Sequence, residues 1–235
     1  MADFTDNIPA DIDALARAAH AAFAAWGASD AATRAALLRG LADALEANRE
    51  RLVPLADEET HLGPVRLNGE FDRTAFQLRG FATQVEQGAA FTSTDDPAVP
   101  GAPPGGHPHL LRTRVPLGPV AMFAASNFPF AFSVLGGDTA SALAAGCPVV
   151  VRAHSGHPGL SREVAALAAG VVAAQGLPAG VFGLVDRPGN DVGAALVAHP
   201  LITAAAFTGS VRGGLALEKI AQARPRPIPF FGELG

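Results

Sequence analysis

Apolar residues in the first third of the chain recur at spacings of three and four, the repeat of a helix with one buried face. Between residues 9 and 87 the first such series comprises Leu15, Ala19, Ala22, Phe23 and Trp26. A second series, after a cap at Ser29 or Asp30, comprises Leu37, Leu38, Leu41, Leu45 and Leu52. A third predicted helix carries Phe76, Phe81 and Val85. Residues 1–90 are therefore predicted to form an N-terminal helical region.

The segment FTSTDDPAVPGAPPGGHPH, at 91–109, interrupts this pattern. Its Pro, Gly, Ser and Asp residues sustain neither the helical nor the strand repeat. We therefore predict a connector or edge segment at 91–114, followed by a second region at 115–235.

In residues 115–235 short apolar runs alternate with alanine-rich segments. The runs predicted as strands are 119–125, 148–152, 181–185, 203–207 and 228–231. Helices are predicted near 133–145, 159–175, 190–198 and 210–223. Parallel strands covered by helices on both faces have such continuous apolar runs, so we predict an α/β fold with an open, doubly wound parallel sheet. Ligands bind beyond the carboxyl ends of such strands, which here are followed by residues 126–127, 152–155, 208–214 and 232–235.

Composition and charge exclude two classes of partner. The chain has 17 basic and 22 acidic residues, a net charge of −5 and no basic run, which argues against binding nucleic acid. No uninterrupted apolar stretch reaches the roughly 20 residues of a membrane span. The single cysteine, Cys147, excludes an intramolecular disulfide, and the acidic N-terminus lacks the features of a secretory signal. We therefore expect a soluble, cytoplasmic protein.

The common phosphate-binding motifs, GxGxxG and the P-loop, are absent. A predicted strand instead runs into Thr208-Gly209-Ser210 and then a predicted helix, whose N-terminal amides would face an anion. On this local pattern alone, an ordinary strand-to-helix turn that uses Gly for tightness explains the residues about as well.

Five segments, taken in order, carry a more specific signal. They are PLGPVAMFAASNFPFAF, SALAAGCPVVVRAH, GLPAGVFGLV, AAAFTGSVRGG and FFGELG. In sequence and order they resemble the cofactor domain of the aldehyde dehydrogenase superfamily, over nearly the whole chain. QLRGFA, the segment 133–159 and IPFFGELG resemble the NADP-preferring branch that oxidises 2-oxoglutarate semialdehyde.

The resemblance implies a Rossmann-like fold, a small-molecule aldehyde substrate and relatives that are usually homo-oligomers. It also implies a nicotinamide dinucleotide cofactor. The positions that it assigns to cofactor binding are Ala125, Ser126, Arg152, His154, Ser155, Gly193, Phe207, Thr208, Gly209, Ser210 and Gly214.

Two catalytic roles follow from the same resemblance. Asn127 matches the family asparagine whose side-chain amide donates to the substrate oxyanion. Glu233 matches the family glutamate that activates water as a general base, and a partly apolar cleft would raise the pKa of such a carboxyl toward the working range. Outside the matching segments, Asn127 would be an ordinary turn residue and Glu233 a surface carboxylate.

Arg152 and Ser155 favour NADP over NAD. Arg152 falls where the family usually has a lysine that contacts the cofactor ribose, and its planar guanidinium suits a phosphate at least as well. Ser155 stands where NAD-preferring relatives often carry a glutamate, which would repel a 2′-phosphate. NADP is therefore the expected cofactor and NAD the alternative, while a solvated loop would explain the same residues without function.

The only thiol and the paired histidines are assigned no chemistry. Cys147 lies between a predicted helix and a buried strand, and it does not match the family's catalytic cysteine, which follows the Glu-Leu-Gly segment. His154 and His157 have HxxH spacing without a third ligand nearby, so no metal is predicted. The chain is expected to stop before the catalytic cysteine and to be inactive alone. The alternative is a non-catalytic nucleotide-binding module.

Overall fold

The computed structural model describes residues 8–235, so positions 1–7 of the predicted helical region lie outside the described residues. The first part of the described chain forms helices α1 (Ala10–Gly27), α2 (Ala31–Ala47), α3 (Arg49–Thr60) and α4 (Pro64–Glu86). Of the two predicted caps, Asp30 precedes α2, and its carboxylate accepts a hydrogen bond from the Thr33 amide at 2.8 Å.

The second predicted helix is two helices. Asn48, with φ −115° and ψ 12°, leaves the helical conformation between α2 and α3. Its side-chain amide donates to the carbonyl of Ala44 at 2.8 Å. Leu45 and Leu52 are both buried on either side of this break, so the apolar spacing continues across it. The hydrophobic pattern alone therefore does not show where the helix ends.

Two short strands lie within the predicted connector, β1 (Ser93–Asp96) and β2 (Leu110–Thr113). They pair in an antiparallel two-stranded sheet, and all of their residues are exposed. The expectation that residues 91–109 sustain no strand was wrong at β1, whereas β2 lies after that stretch, in the last part of the connector or edge segment 91–114. Strands exposed on both faces lack the alternation of apolar and polar residues by which a strand is recognised.

The second region contains a parallel sheet whose strands are β3 (Val120–Phe123), β4 (Val149–Arg152), β5 (Phe182–Val185), β6 (Ala204–Gly209) and β7 (Phe230–Leu234). The helices between them are α5 (Gly137–Ala144), α6 (Pro158–Ala174), α7 (Asn190–Ala198) and α8 (Val211–Ala223). The predicted α/β fold is confirmed. The strand order is β5-β4-β3-β6-β7. β4 and β5 are added on one side of β3, and β6 and β7 on the other, so the order of the strands reverses between β3 and β6.

Alternate residues of the strands face two hydrophobic clusters on opposite sides of the sheet. Met122 and Val151 belong to a cluster that also contains Leu38 of α2 and Phe71 of α4. Ala121, its neighbour in β3, belongs to the other cluster, which includes residues of α1 and α7. Burial on both faces accounts for the continuous apolar runs, and it places the N-terminal helices directly against the sheet.

Three predicted boundaries shift near the site. α5 begins at Gly137, four residues later than predicted, because the preceding residues form a tight loop in which the Gly137 amide donates to the Ala131 carbonyl at 3.0 Å. A Cβ on Gly136 would lie 2.3 Å from that carbonyl oxygen, so the loop needs a glycine there. β6 extends to Gly209 and β7 to Leu234, which places Thr208 and Glu233 within strands.

Candidate functional site

A cleft of about 780 Å³ opens beyond the carboxyl ends of β3, β4 and β6. This is the point at which the strand order reverses, where open α/β sheets bind their ligands. Nine of the eleven predicted cofactor positions line it, namely Ala125, Ser126, Arg152, His154, Gly193, Phe207, Thr208, Gly209 and Ser210. The fold therefore gathers residues from four separated stretches of the sequence around one space.

The other two predicted cofactor positions, Ser155 and Gly214, are not in the wall of the cleft. Ser155 is exposed in the turn after β4. Gly214 is buried in α8 against β7, and a Cβ there would lie 2.1 Å from Cδ2 of Leu234. The glycine therefore allows close packing of the helix on the strand.

Arg152 is the half-buried cation at the end of β4. Its guanidinium donates to the carbonyls of Ala153 at 2.6 Å and Gly189 at 3.3 Å. Within residues 8–235 no carboxylate oxygen lies within 4.0 Å of it. Burial lowers the pKa of Arg152. Burial also lowers the pKa of His154, and the nearby His157 and Arg152 lower it further. This wall of the cleft therefore carries the positive charge of Arg152, which is hydrogen-bonded to neutral acceptors, with Asp186 acting on it from more than 4.0 Å and Asp191 elsewhere in the lining.

The opposite wall is the start of α8. Ser210 precedes the helix, and its hydroxyl oxygen accepts a hydrogen bond from the Gly213 amide at 3.2 Å. Arg212, in the first turn, also lines the cleft. A helix N-terminus with an arginine beside it is favourable for a negatively charged group.

The two predicted catalytic residues lie beside the cleft. Asn127 is exposed in the loop after β3, and its carbonyl accepts a hydrogen bond from the guanidinium of Arg66. Glu233 is exposed on β7, where it pairs in register with Thr208 of β6. Residues paired in register on adjacent parallel strands point to the same face of the sheet, so Glu233 shares a face with the side chain of Thr208.

A carboxyl group that the sequence analysis missed lies next to this pair. Asp138 lies in the first turn of α5, and its Oδ2 accepts a hydrogen bond from the Thr208 hydroxyl at 3.3 Å. Burial raises the pKa of Asp138, the negative charge of Glu233 raises it further, and the bond from Thr208 opposes the increase. Asp138 was missed because it matches none of the family positions used above, and only the fold brings it to Thr208.

His157 was also missed. It is fully buried, and its Nε2 donates to the carbonyl of Ala125 at 2.9 Å, while Nδ1 lies 3.2 Å from the hydroxyl of Ser161. The bond to Ala125 joins the loop after β4 to the loop after β3. The HxxH spacing thus reflects a structural tie in which His157 supports the cleft wall from behind.

Cys147 is buried, with 3% of its surface exposed, between α5 and β4. Among residues 8–235 no group of three or more His, Cys, Asp or Glu side chains is arranged to hold a metal ion. In the same part of the chain, no helix combines the length and the apolar character needed to cross a bilayer.

The sheet order and the cleft at its reversal point define a Rossmann-like α/β protein. The chain belongs to the aldehyde dehydrogenase family, whose model matches residues 1–235. Members of this family are oxidoreductases that use NAD(P)⁺. The narrower resemblance to semialdehyde dehydrogenases is confirmed as a similarity by two curated relatives.

Both relatives are named as α-ketoglutaric semialdehyde dehydrogenases. Alpha-ketoglutaric semialdehyde dehydrogenase 2 of Azospirillum brasilense is 49% identical over 225 residues, which are 96% of this chain and 43% of that protein. The enzyme of Acinetobacter baylyi is 44% identical over 224 residues, 95% of this chain and 42% of that protein. The chain therefore spans less than half the length of these relatives.

Solved structures show the same relationship. An NAD-dependent benzaldehyde dehydrogenase from Corynebacterium glutamicum superposes with a TM-score of 0.81 at 28% identity, covering 96% of this chain and 46% of that one. An aldehyde dehydrogenase from Brucella melitensis biovar abortus 2308 superposes with a TM-score of 0.81 at 29% identity, covering 95% and 43%.

Proposed function

We propose that this chain supplies the cofactor site, the oxyanion donor and the general base of an enzyme that oxidises a small semialdehyde to the carboxylic acid with NADP⁺. Bound NADP⁺ supplies the acceptor for hydride. Asn127 donates its side-chain N–H to the aldehyde oxygen as negative charge develops there. Glu233 removes a proton from the water that releases the acyl group.

Arg152 is the observation that carries the choice of NADP. It is a half-buried guanidinium in the cleft wall, and its hydrogen bonds go to two carbonyls. A 2′-phosphate would give this half-buried charge a direct ionic partner, which Asp186, more than 4.0 Å away, does not provide within the described residues. The neighbouring Ala153, His154 and Ser155 include no carboxylate that would repel the phosphate. NAD, which the name of the Corynebacterium glutamicum neighbour specifies, is the alternative.

The proposed substrate is 2-oxoglutarate semialdehyde or a similar small aldehyde. The support is the names of the two relatives at 49% and 44% identity, together with the resemblance of the segment 133–159, which includes Arg152 and His154 of the cleft wall. The alternative, a non-catalytic nucleotide-binding module, is not favoured by membership of an enzyme family along all 235 residues.

Titration of the chain with NADP⁺ and NAD⁺ by calorimetry tests the cofactor assignment. We expect tighter binding of NADP⁺. Arg152→Met should weaken NADP⁺ by about 10- to 100-fold, the value of a hydrogen bond to a charged group, and should change NAD⁺ much less. The control is Arg51→Met, which removes the same charge from an arginine paired with Glu163 outside the cleft.

Two results would refute the assignment to NADP. One is tighter binding of NAD⁺ by the unaltered chain. The other is an equal loss of affinity for both cofactors in Arg152→Met, because an arginine that contacts only the shared part of the two molecules would not distinguish them.

A further inference from the structure

The loop that carries Asn127 is folded back on itself. It leaves β3 at Phe123 and reaches α5 at Gly137. Within it the Ala125 amide donates to the Phe132 carbonyl at 2.8 Å. This bond closes the loop on itself, and the bond from His157 to the Ala125 carbonyl holds only its first part. Side chains from α4 bind the part that follows, from residue 127 onward.

Glu70 of α4 binds the middle of the loop. Its side chain is buried, with 6% of the residue exposed. Oε1 accepts hydrogen bonds from the amides of Phe130 at 2.7 Å and Ala131 at 2.9 Å. Oε2 has no hydrogen-bond partner among residues 8–235. A buried carboxylate is costly unless it is bonded, so both amides have to stay where Glu70 can reach them.

Arg66, one helical turn before Glu70, binds the start of the loop. Its guanidinium donates to the carbonyl of Asn127 and stacks over the ring of Phe128, 4.9 Å from the centroid. Residues four apart lie on the same face of a helix. The two side chains therefore bind the loop from the same face of α4, Arg66 at Asn127 and Phe128 and Glu70 at Phe130 and Ala131.

We propose that Arg66 and Glu70 are positioning residues that set the place and orientation of the Asn127 side chain. The inference rests on the oxyanion role proposed for Asn127. The bonds involve the peptide units of residues 127, 130 and 131, so they restrict the backbone on which the Asn127 amide stands. A displacement of about 1 Å is enough to impair a catalytic group.

Glu59 provides an internal comparison. Its two carboxylate oxygens accept hydrogen bonds from the amides of Gly159 and Leu160, each at 2.8 Å, at the start of α6. Like Glu70, Glu59 is a carboxylate that binds two consecutive backbone amides, although it uses one oxygen for each, and its amides lie in the first turn of α6. A substitution at Glu59 therefore measures the effect of losing such bonds where Asn127 is not involved.

NMR of the ¹⁵N-labelled chain tests the proposal through the side-chain amide signals of Asn127, which are assigned with Asn127→Ala. We expect Glu70→Met and Arg66→Met each to shift and broaden these signals. In Glu70→Met, hydrogen exchange of the Phe130 and Ala131 amides should accelerate by about tenfold or more, because methionine offers these amides no carboxylate or carbonyl oxygen as an acceptor. Arg66→Lys, which keeps a donor, should restore the Asn127 signals. Glu59→Met should accelerate exchange at Gly159 and Leu160 and leave the Asn127 signals unchanged.

Unchanged Asn127 signals in both Glu70→Met and Arg66→Met, in spectra that show a folded chain, would overturn the proposal and leave the two residues a purely structural role. The proposal is equally overturned if Glu59→Met perturbs Asn127 as strongly. If Glu70→Met does not fold, Arg66→Met and its lysine rescue decide alone. These signals are read without cofactor, so a failed NADP⁺ titration would refute the proposed cofactor and leave this result standing.

Discussion

Gly180→Ala is expected to destabilise the chain strongly, although it adds one methyl group. Gly180 lies in the 3₁₀ turn Ala179–Val181, just before β5. A Cβ at this position would lie 2.0 Å from the carbonyl oxygen of Ala18 in α1 and 2.3 Å from the carbonyl carbon. Non-bonded atoms approach to about 3.5 Å, so the two backbones would have to separate by roughly 1.5 Å.

The magnitude follows from what that separation opens. α1 buries Ile12, Ala16 and Ala19 completely in the cluster on this side of the sheet. Overpacking a core costs about 1–3 kcal/mol, and both contacting atoms here are backbone, so no side-chain rotation relieves the overlap. We expect the upper end, about 3 kcal/mol, which in a chain of this size lowers Tm by roughly 6–12 °C.

Urea and thermal unfolding followed by circular dichroism measure this effect. The matched control is Gly170→Ala in α6, where a Cβ would meet nothing within 4 Å. That substitution should stabilise the chain by about 0.5–1 kcal/mol, because glycine is unfavourable within a helix. The reasoning is refuted if Gly180→Ala unfolds within about 0.5 kcal/mol of the unaltered chain, a typical surface-substitution effect.

Three further outcomes are expected. Burial lowers the pKa of His199, whose Nδ1 accepts a hydrogen bond from the Leu201 amide. The neutral imidazole therefore stabilises the fold fully above the ordinary pKa of 6.5, and this contribution is lost as pH falls through the lowered pKa. In urea melts at a series of pH values, the free energy of unfolding should fall less steeply with decreasing pH in His199→Gln, and an unchanged dependence on pH would contradict this. The 235-residue chain should show no aldehyde-dependent reduction of NADP⁺, since its single thiol, Cys147, is buried; turnover that Cys147→Ser abolishes would make Cys147 the nucleophile. Size-exclusion chromatography should show association, because three large apolar side chains in α8 and β7 are exposed: Val211, Leu215 and Phe231. A monodisperse monomer would argue against this expectation.

The alternation of strands and helices could be predicted from the sequence because the central strands β3 and β4 are buried on both faces and are therefore continuous apolar runs. Positions that follow directly after a strand, such as Arg152 and Thr208, could be located by the same pattern. Glu70 could not, because 60 residues separate it from the Phe130 amide that it binds. In the sequence Glu70 looks like an ordinary acidic residue of a helix, and only the tertiary packing of α4 buries it. The hydrophobic pattern continues across the break at Asn48, and the exposed strands β1 and β2 lack the alternation of apolar and polar residues, so neither feature could be predicted from that pattern.

The contacts of Glu59 and Glu70 also bear on whether the N-terminal helices and the sheet behave as separate units. Each carboxylate extends from the helical region to two backbone amides of the sheet region, at the loops that follow β3 and β4. Hydrogen bonds to charged groups each contribute about 1.5–3 kcal/mol, and losing the helices would remove four of them, two at the loop that carries Asn127 and two at the start of α6. The loss of the shared cluster that joins α2 and α4 to the strands would add to this cost. The helices and the cleft therefore depend on each other, and the geometry of the site is set partly by residues that lie more than fifty positions earlier in the chain.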